Sequence, residues 1–408
     1  MASQQQLSAN PLPEMTPSGT APRMRILMVV DGQYPATGGA EMQARLLCTA
    51  FARQGHQVMV LAPRLYASQA SFEIIDGIAV HRLSYPRIKG LGAILLDLRF
   101  AAFLLRHRHA FDAIHIHMVR NLAGAAGWVR HLVGVPMVAK VSGADEFRGG
   151  ILDPKLLRRP IHRLLNAGAK RIDAFQCISQ YTRKAMIDAG YPVDKMHLIP
   201  NAVDCARFAS RRGEAPVRRV VFIGRHVPVK GIDVLLRAWS LVKGPTDLRL
   251  VLAGSGSEHE RLKALARALG VQDSVEFPGA VTHVPEILAS ASLYVQASHQ
   301  EGLPNAVLEA MASGLAVVAT RVSGHEDVVD HGTTGLLVPA NDAAALACAM
   351  QTLLDDSELR LRMGRAARAS IEQSYCAEII TARLLHLYGS ATPAGLAAKT
   401  LSLPVDGR

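Results

Sequence analysis

The stretch EGLPNAVLE, from Glu301 to Glu309, sets two carboxylates eight positions apart with no base between them, in a chain whose formal net charge is +11. Ionised carboxylates are pure hydrogen-bond acceptors and suit pairs of hydroxyls. Gly302, Leu303 and Pro304 form a turn, Pro304 suits a first helical position, and a helix is expected through Ser313. Glu301 then lies in the loop before that helix and Glu309 inside it. Eight helical steps would separate the two by ~12 Å along the axis. A loop start shortens this, so both could address one elongated ligand while free loop N–H groups donate to it. The competing reading makes Glu301 a charge favoured near a helix N-terminus and Glu309 part of a solvated face. Apolar neighbours on both sides of Glu309 weigh against it, because a carboxylate there needs a partner.

Further candidates lie on loops that follow strand-like runs. In GRHVPVKG, Arg225 and Lys230 stand five positions apart; two cations there would neutralise a diphosphate, and Arg can grip it bidentately. A solvated surface pair is the alternative. In TGGAE, Gly38 and Gly39 let backbone N–H groups approach an anion near a helix start. AGSGSE follows another strand, but neither a GxGxxG fingerprint nor a Walker A loop is present. In FDAIHIHMVR, alternation puts His115 and His117 on one face, with His117 nearer the strand's carboxyl end. A strand histidine is by itself more often a hydrogen-bonded core residue.

These loops need strands and helices to hold them. RILMVV, HQVMVLAP, IAVHRLS, AIHIHM, MVAKVSG and AFQCISQ read as strands separated by helical stretches, the first helix carrying Ala40, Ala44, Leu47 and Phe51. After a polar linker at 210–219 the pattern restarts with VVFIG, a helix from Ile232 to Val242, LRLVLAGSG, SVEFPG, LYVQAS, AVVATRV and TGLLVP. Such alternation predicts two α/β units with mainly parallel sheets, at 23–209 and 220–375. A C-terminal helix at 376–390 is expected to pack back on the first unit, with flexible tails at 1–22 and 391–408. At 408 residues, 49% hydrophobic and 19% charged, the chain suits two such domains. Five cysteines, scattered and without a CxxC pair, argue against a disulfide framework and fit a reducing cytoplasm. No export signal is visible, and the longest apolar run is too short and too charged for a membrane span.

Charge is divided unequally. Residues 1–213 hold 27 Lys+Arg against 14 Asp+Glu, and residues 214–408 hold 18 against 20. The basic half contains LGAILLDLRFAAFLLRHRH, where Ile94, Leu95, Leu98, Ala102 and Leu105 share a face beside Arg99, Arg106 and Arg108. This is either a helix lying on an anionic membrane or a core-facing helix with a solvated basic edge.

FIGRHVPVKGIDVLLRAW, LVLAGSGSE and ASHQEGLPNAVLEAMASGLAVVATRVSGHEDVVDHGTTGLLVP together resemble the donor domain of family 4 retaining glycosyltransferases. IPNAVDCARF is similar to that family's inter-domain segment, with Ala202 for the usual Gly. TGGAEMQARLL and FARQGHQVMVLA match its opening βα unit. The resemblance spans about residues 24–390 and implies the GT-B fold: two Rossmann-like domains facing across a cleft. It places Arg225 and Lys230 on the donor diphosphate, Glu301 with the Gly302, Leu303 and Pro304 backbone on the donated sugar, Glu309 on the ribose hydroxyls, and Gly39 where the N-terminal loop closes on the donor. It also puts His117 near sugar and acceptor. Ser142 departs from the family's frequent His-Gly or His-Thr at its strand end, leaving the acceptor geometry open.

The implied activity is transfer of a hexose from a nucleoside-diphosphate sugar, UDP-linked on the pattern of EGLPN, to a saccharide acceptor with retention of configuration. No DxD pair or other metal cluster stands in the sequence, so neither metal nor cofactor is expected, and Arg225 and Lys230 take the leaving-group charge. A sugar-nucleotide epimerase would need acid/base groups around the anomeric centre that are not evident. A dehydrogenase lacks its glycine fingerprint. A non-catalytic sugar-binding module is disfavoured by the intact Arg/Lys and Glu/Glu sets. A lipid-linked acceptor in surface-polysaccharide assembly, reached from the cytoplasmic face of the membrane, is the expected partner, and nucleic acid is not.

Overall fold

The computed structural model describes residues 23–35, 38–89, 91–147, 149–208 and 219–391. The expected tail 1–22, the tail beyond Ala391, and all of the expected linker except Arg219 lie outside these residues. RILMVV is apolar on both faces and forms β1 (Arg25–Val30), buried throughout except at Arg25. The chain continues through α1 (Gly39–Arg53), β2 (Gln57–Pro63), β3 (Phe72–Ile75), β4 (Ile78–Leu83), α2 (Leu91–Arg106) and β5 (Ala113–His117). Next come α3 (Asn121–Val133), β6 (Met137–Val141), α4 (Pro160–Ala169), β7 (Ala174–Cys177), α5 (Gln180–Asp188) and β8 (Met196–Leu198).

The second unit starts with β9 (Arg219–Ile223), α6 (Ile232–Trp239), β10 (Arg249–Ala253), α7 (His259–Ala268), β11 (Val275–Gly279) and α8 (Val284–Ser290). It goes on through β12 (Leu293–Gln296), α9 (Asn305–Ala312), β13 (Val317–Thr320), α10 (Ser323–Glu326) and β14 (Gly335–Val338). Three helices end it: α11 (Ala343–Asp355), α12 (Ser357–Ser374) and α13 (Ala377–Ser390). Helix α6 stops three residues short of the expected Val242, because Leu241 and Val242 bond back to Ala238 and Trp239 in a tightened last turn. Pro304 is the N-cap of α9 and not its first helical residue.

The two sheets run β3-β4-β2-β1-β5-β6-β7-β8 and β11-β10-β9-β12-β13-β14. All pairs are parallel except β3 with β4. In each sheet the first strand is flanked by strands that precede and follow a reversal of order: β2 and β5 beside β1, β10 and β12 beside β9. The crevice opens beyond the carboxyl ends of strands at such a switch point, which puts the loops after β1, β5, β9 and β12 around one space.

Both faces of each sheet are covered. Leu96, Phe100 and Leu104 of α2, with Leu122 of α3 and Leu165 of α4, bury one face of the first sheet. Leu47 and Phe51 of α1 cover the other, together with Ile380, Leu384, Leu387 and Tyr388 of α13. Each of these large side chains contributes roughly 1.5–3 kcal/mol of burial, so the last helix belongs energetically to the first domain.

The chain therefore passes between the domains twice, and the two passages lie side by side. Val203 N–H donates to the Tyr375 carbonyl at 2.9 Å, and Ala377 N–H donates to the Val203 carbonyl at 3.0 Å. Cys205 and Cys376 are disulfide-bonded there, with Cα atoms 5.6 Å apart and 171 residues between them in sequence. This corrects the expectation of no disulfide. Spacing along the chain hides the pair, because only the return of α13 brings the second passage onto the first.

Candidate active site

Glu301 is 8% exposed, in the loop between β12 and α9. Its Oε1 accepts from Gln296 Nε2 and Ser298 Oγ, each at 2.6 Å. Lys230 Nζ stands 2.5 Å from the same oxygen. Tyr294 OH in turn donates to Gln296 Oε1 at 2.8 Å. Burial would raise the Glu301 carboxyl, but the Lys230 ammonium, His325 and the hydrogen bonds from Lys230 and Ser298 outweigh it and hold the group below its ordinary value. Three donors thus converge on one oxygen, and among the described residues none of these bonds uses the other.

Lys230 ends a single turn, Pro228–Lys230, that Gly231 terminates at φ +59°. A Cβ at Gly231 would collide with the Ala297 carbonyl. His299 N–H donates to the Val229 carbonyl at 2.8 Å. The cationic loop is thereby pinned to the end of β12. Arg225 stands exposed on the same loop, on the wall of the cavity.

The cavity holds ≈ 840 Å³ between the domains, the size range of a ligand site. Gly302, Leu303, Pro304 and Asn305 wall it on one side, Gly38, Gly39 and Glu41 on the other. The helices α1 and α9 both start here without a side-chain cap, leaving N–H groups able to receive an anion. The walls touch. Asn305 Nδ2 lies 3.3 Å from the Gly39 carbonyl, and Asn201 Nδ2 donates to Asn305 Oδ1 at 2.8 Å. A Cβ on Gly302 would stand 3.0 Å from Gly143 Cα.

Arg225, Lys230, Glu301, Gly302, Leu303, Pro304 and Gly39 therefore meet at one cavity. Glu309 does not line it. It sits partly buried in α9, its carboxylate with no hydrogen bond among the described residues, and burial, partly offset by the Arg207 charge, raises that carboxyl to about 7. His117 is fully buried and, unlike the next residue Met118, is not on the wall, and among the described residues neither ring nitrogen has a partner. Its ring lies 4.9 Å from that of His115, and burial holds it far below its ordinary value, with His115 and Lys140 adding to the effect. His115 Nδ1 meets Tyr388 OH at 2.6 Å.

Several wall residues escaped the sequence reading: Gln296, Asn305, Arg120, Lys140 and Glu146. Gln296 and Ser298 alternate with Tyr294 in LYVQAS, a polar face inside an apolar strand that could have flagged them. Among the described residues, no three His, Cys, Asp or Glu side chains are grouped to hold a metal ion.

Two parallel-sheet domains closing on a cleft, with cations and a carboxylate at the strand ends of the second, define the GT-B architecture. Residues 37–207 match the description Glycosyltransferase Family 4, and residues 209–370 match Glycosyl transferases group 1. D-inositol 3-phosphate glycosyltransferase of Pseudarthrobacter chlorophenolicus is 32% identical over 83% of this chain and 87% of its own length. The Mycobacterium tuberculosis GDP-mannose-dependent alpha-(1-6)-phosphatidylinositol monomannoside mannosyltransferase is 27% identical over 88% and 97%. Among solved structures, HepE of Anabaena in complex with UDP superposes with a TM-score of 0.73 at 21% identity, covering 90% of this chain and 100% of that one. The chain belongs to family 4 of the glycosyltransferases and is a glycosyltransferase.

Proposed function

We propose that the chain transfers a hexose from a UDP-linked donor to a lipid-linked saccharide with retention of configuration and without a metal ion, in the assembly of a surface polysaccharide. The observation that carries this reading is the Lys230–Glu301 pair beside the uncapped start of α9, facing the uncapped start of α1 across one cavity. In this reading Arg225 and Lys230 receive the diphosphate and stabilise the charge that grows on it as the anomeric C–O bond breaks. The open oxygen of Glu301 accepts from sugar hydroxyls, beside the backbone of Gly302, Leu303 and Pro304. Glu309, whose carboxylate has no hydrogen bond among the described residues, accepts from the ribose hydroxyls, and Gly39 closes the cleft over the donor. His117 supports the sugar from beneath the opposite wall. The leaving phosphate serves as base for the acceptor hydroxyl, which attacks from the same face.

The acceptor part of the proposal rests on α2. Leu96, Phe100 and Leu104 take its buried side, while Leu91, Ile94 and Leu98 remain 46%, 39% and 61% exposed. Arg99, Arg106 and Arg108 are exposed around them. An apolar face ringed by cations suits the surface of an anionic membrane. No helix among the described residues is long and apolar enough to cross one. The deciding experiment incubates the protein with UDP-hexoses and GDP-mannose, with and without membrane extract, and follows the anomeric proton of the product by NMR. Equatorial product from an axial donor would overturn retention, and indifference to every nucleotide sugar would overturn the donor.

A further inference from the structure

Strand β6, MVAKV, is buried at every position, and Lys140 within it is 1% exposed. Its Nζ has no hydrogen-bond partner among the described residues, yet the side chain lines the cavity. An unpaired ammonium in such a place is strongly unfavourable. Burial accordingly lowers its pKa to about 7, with the nearby Glu146 carboxylate opposing the shift.

Glu146 offsets part of its charge without bonding to the ammonium. In register beside Lys140 are His117 on β5 and Gln176 on β7. Among the described residues, both nitrogens of His117, Oε1 of Gln176 and the Ser142 hydroxyl also have no partner. Glu146, on this wall, is engaged with backbone: it accepts from Ser142 N–H at 2.5 Å and Val119 N–H at 2.8 Å. Glu41 lines the same wall nearer the start of α1. Arg120, exposed on the same cavity wall, adds a second positive charge.

We infer that this wall takes a sugar bearing a carboxylate, with Lys140 as its counter-ion; the inference rests on the nucleotide-sugar reading above. The diphosphate has its own cations on the opposite wall. What faces Lys140 is a sugar, because two residues along the chain the strand end at Ser142 and Gly143 abuts Gly302, in the loop assigned to the sugar. One buried ammonium matches the single charge of a hexuronate, and Ser142, on the same lining, offers a hydroxyl to the sugar. The carboxylate belongs either to the transferred sugar or to the acceptor sugar beside it.

Calorimetry on the full chain separates these sources. One arm compares UDP-glucuronate with UDP-glucose. The other, at saturating UDP, compares methyl glucuronide with methyl glucoside. Wild type should prefer the anionic probe by about ten-fold or more in one arm, the value of a charge-assisted hydrogen bond in a dry site. Lys140→Met and Lys140→Gln should both erase that preference while UDP affinity and thermal unfolding stay intact. Preference in the first arm assigns the charge to the donor, and in the second to the acceptor. Equal binding of anionic and neutral probes in both arms, or a preference that survives in a folded variant, overturns the inference and leaves Lys140 a structural residue. Failure of UDP itself to bind wild type would instead strike the nucleotide reading, and the second arm run without nucleotide still decides this one.

Discussion

Removing Lys230 does more than delete a cation, because it leaves the Glu301 carboxylate buried with only neutral donors on its bonded oxygen. Lys230→Ala and Arg225→Ala should each lower turnover at saturating donor on the order of 10²–10³-fold. Only Lys230→Ala should also bring the titration of Glu301 up toward neutrality, seen in the pH profile of kcat/KM. Turnover of wild type should be unchanged by EDTA, since on this proposal the two side chains take the metal's part. The two glutamates respond oppositely to pH. Glu301 is depressed in the fold, so its contribution is present above its ordinary range and is lost as pH falls through the depressed value. Glu309 is raised to about 7 from 4.5. The folded chain therefore holds an extra proton across that interval, and stability falls as pH rises through it. On the proposed role its carboxylate form accepts from ribose, so UDP affinity should rise across the same interval, and Glu309→Gln should flatten that component of a Kd-against-pH series. Arg225, Lys230, Glu301 and Gly39 were legible because charge or glycine at a strand end is conspicuous in an apolar sequence. Lys140 was not: its meaning depends on Gln176, His117 and Glu146, which lie on other elements.

At the level of elements, α2 shows what periodicity leaves undecided. Its sequence is apolar on more than one side, and only the position of the sheet reveals that Phe100 faces inward and Leu98 outward. The outward face continues onto neighbouring helices, with Trp128 and Leu132 of α3 and Ile161 and Leu164 of α4 also exposed. The helices pack in the order α2, α3, α4. Vesicles rich in anionic lipid should therefore sediment the protein at low salt, neutral vesicles much less, and high salt should release it. Leu98→Asp should weaken the binding several-fold without lowering thermal stability, because the side chain is 61% exposed. Strands rich in Val, Ile and Leu at the centre of each sheet were legible from local composition. β3, half exposed at an edge, and the three-residue β8 were not, since their existence depends on a neighbour and not on their own pattern.

In the whole molecule, the order of residues along the chain and the division into bodies do not coincide. The two-domain alternation was legible, but the meeting of Cys205 with Cys376 was not, because nothing local to either marks the other. The first domain is completed only by α13, whose Ile380, Leu384, Leu387 and Tyr388 seal the face that α1 leaves open. A protein ending at residue 208 should consequently bind a hydrophobic dye and aggregate, and co-expression with residues 377–391 should restore soluble material. In genetic terms the second domain is an insertion and not an appendage. Exchanging it between relatives requires two cuts, one near each passage, and a chimera joined at a single junction would carry a foreign last helix into a groove shaped for its own.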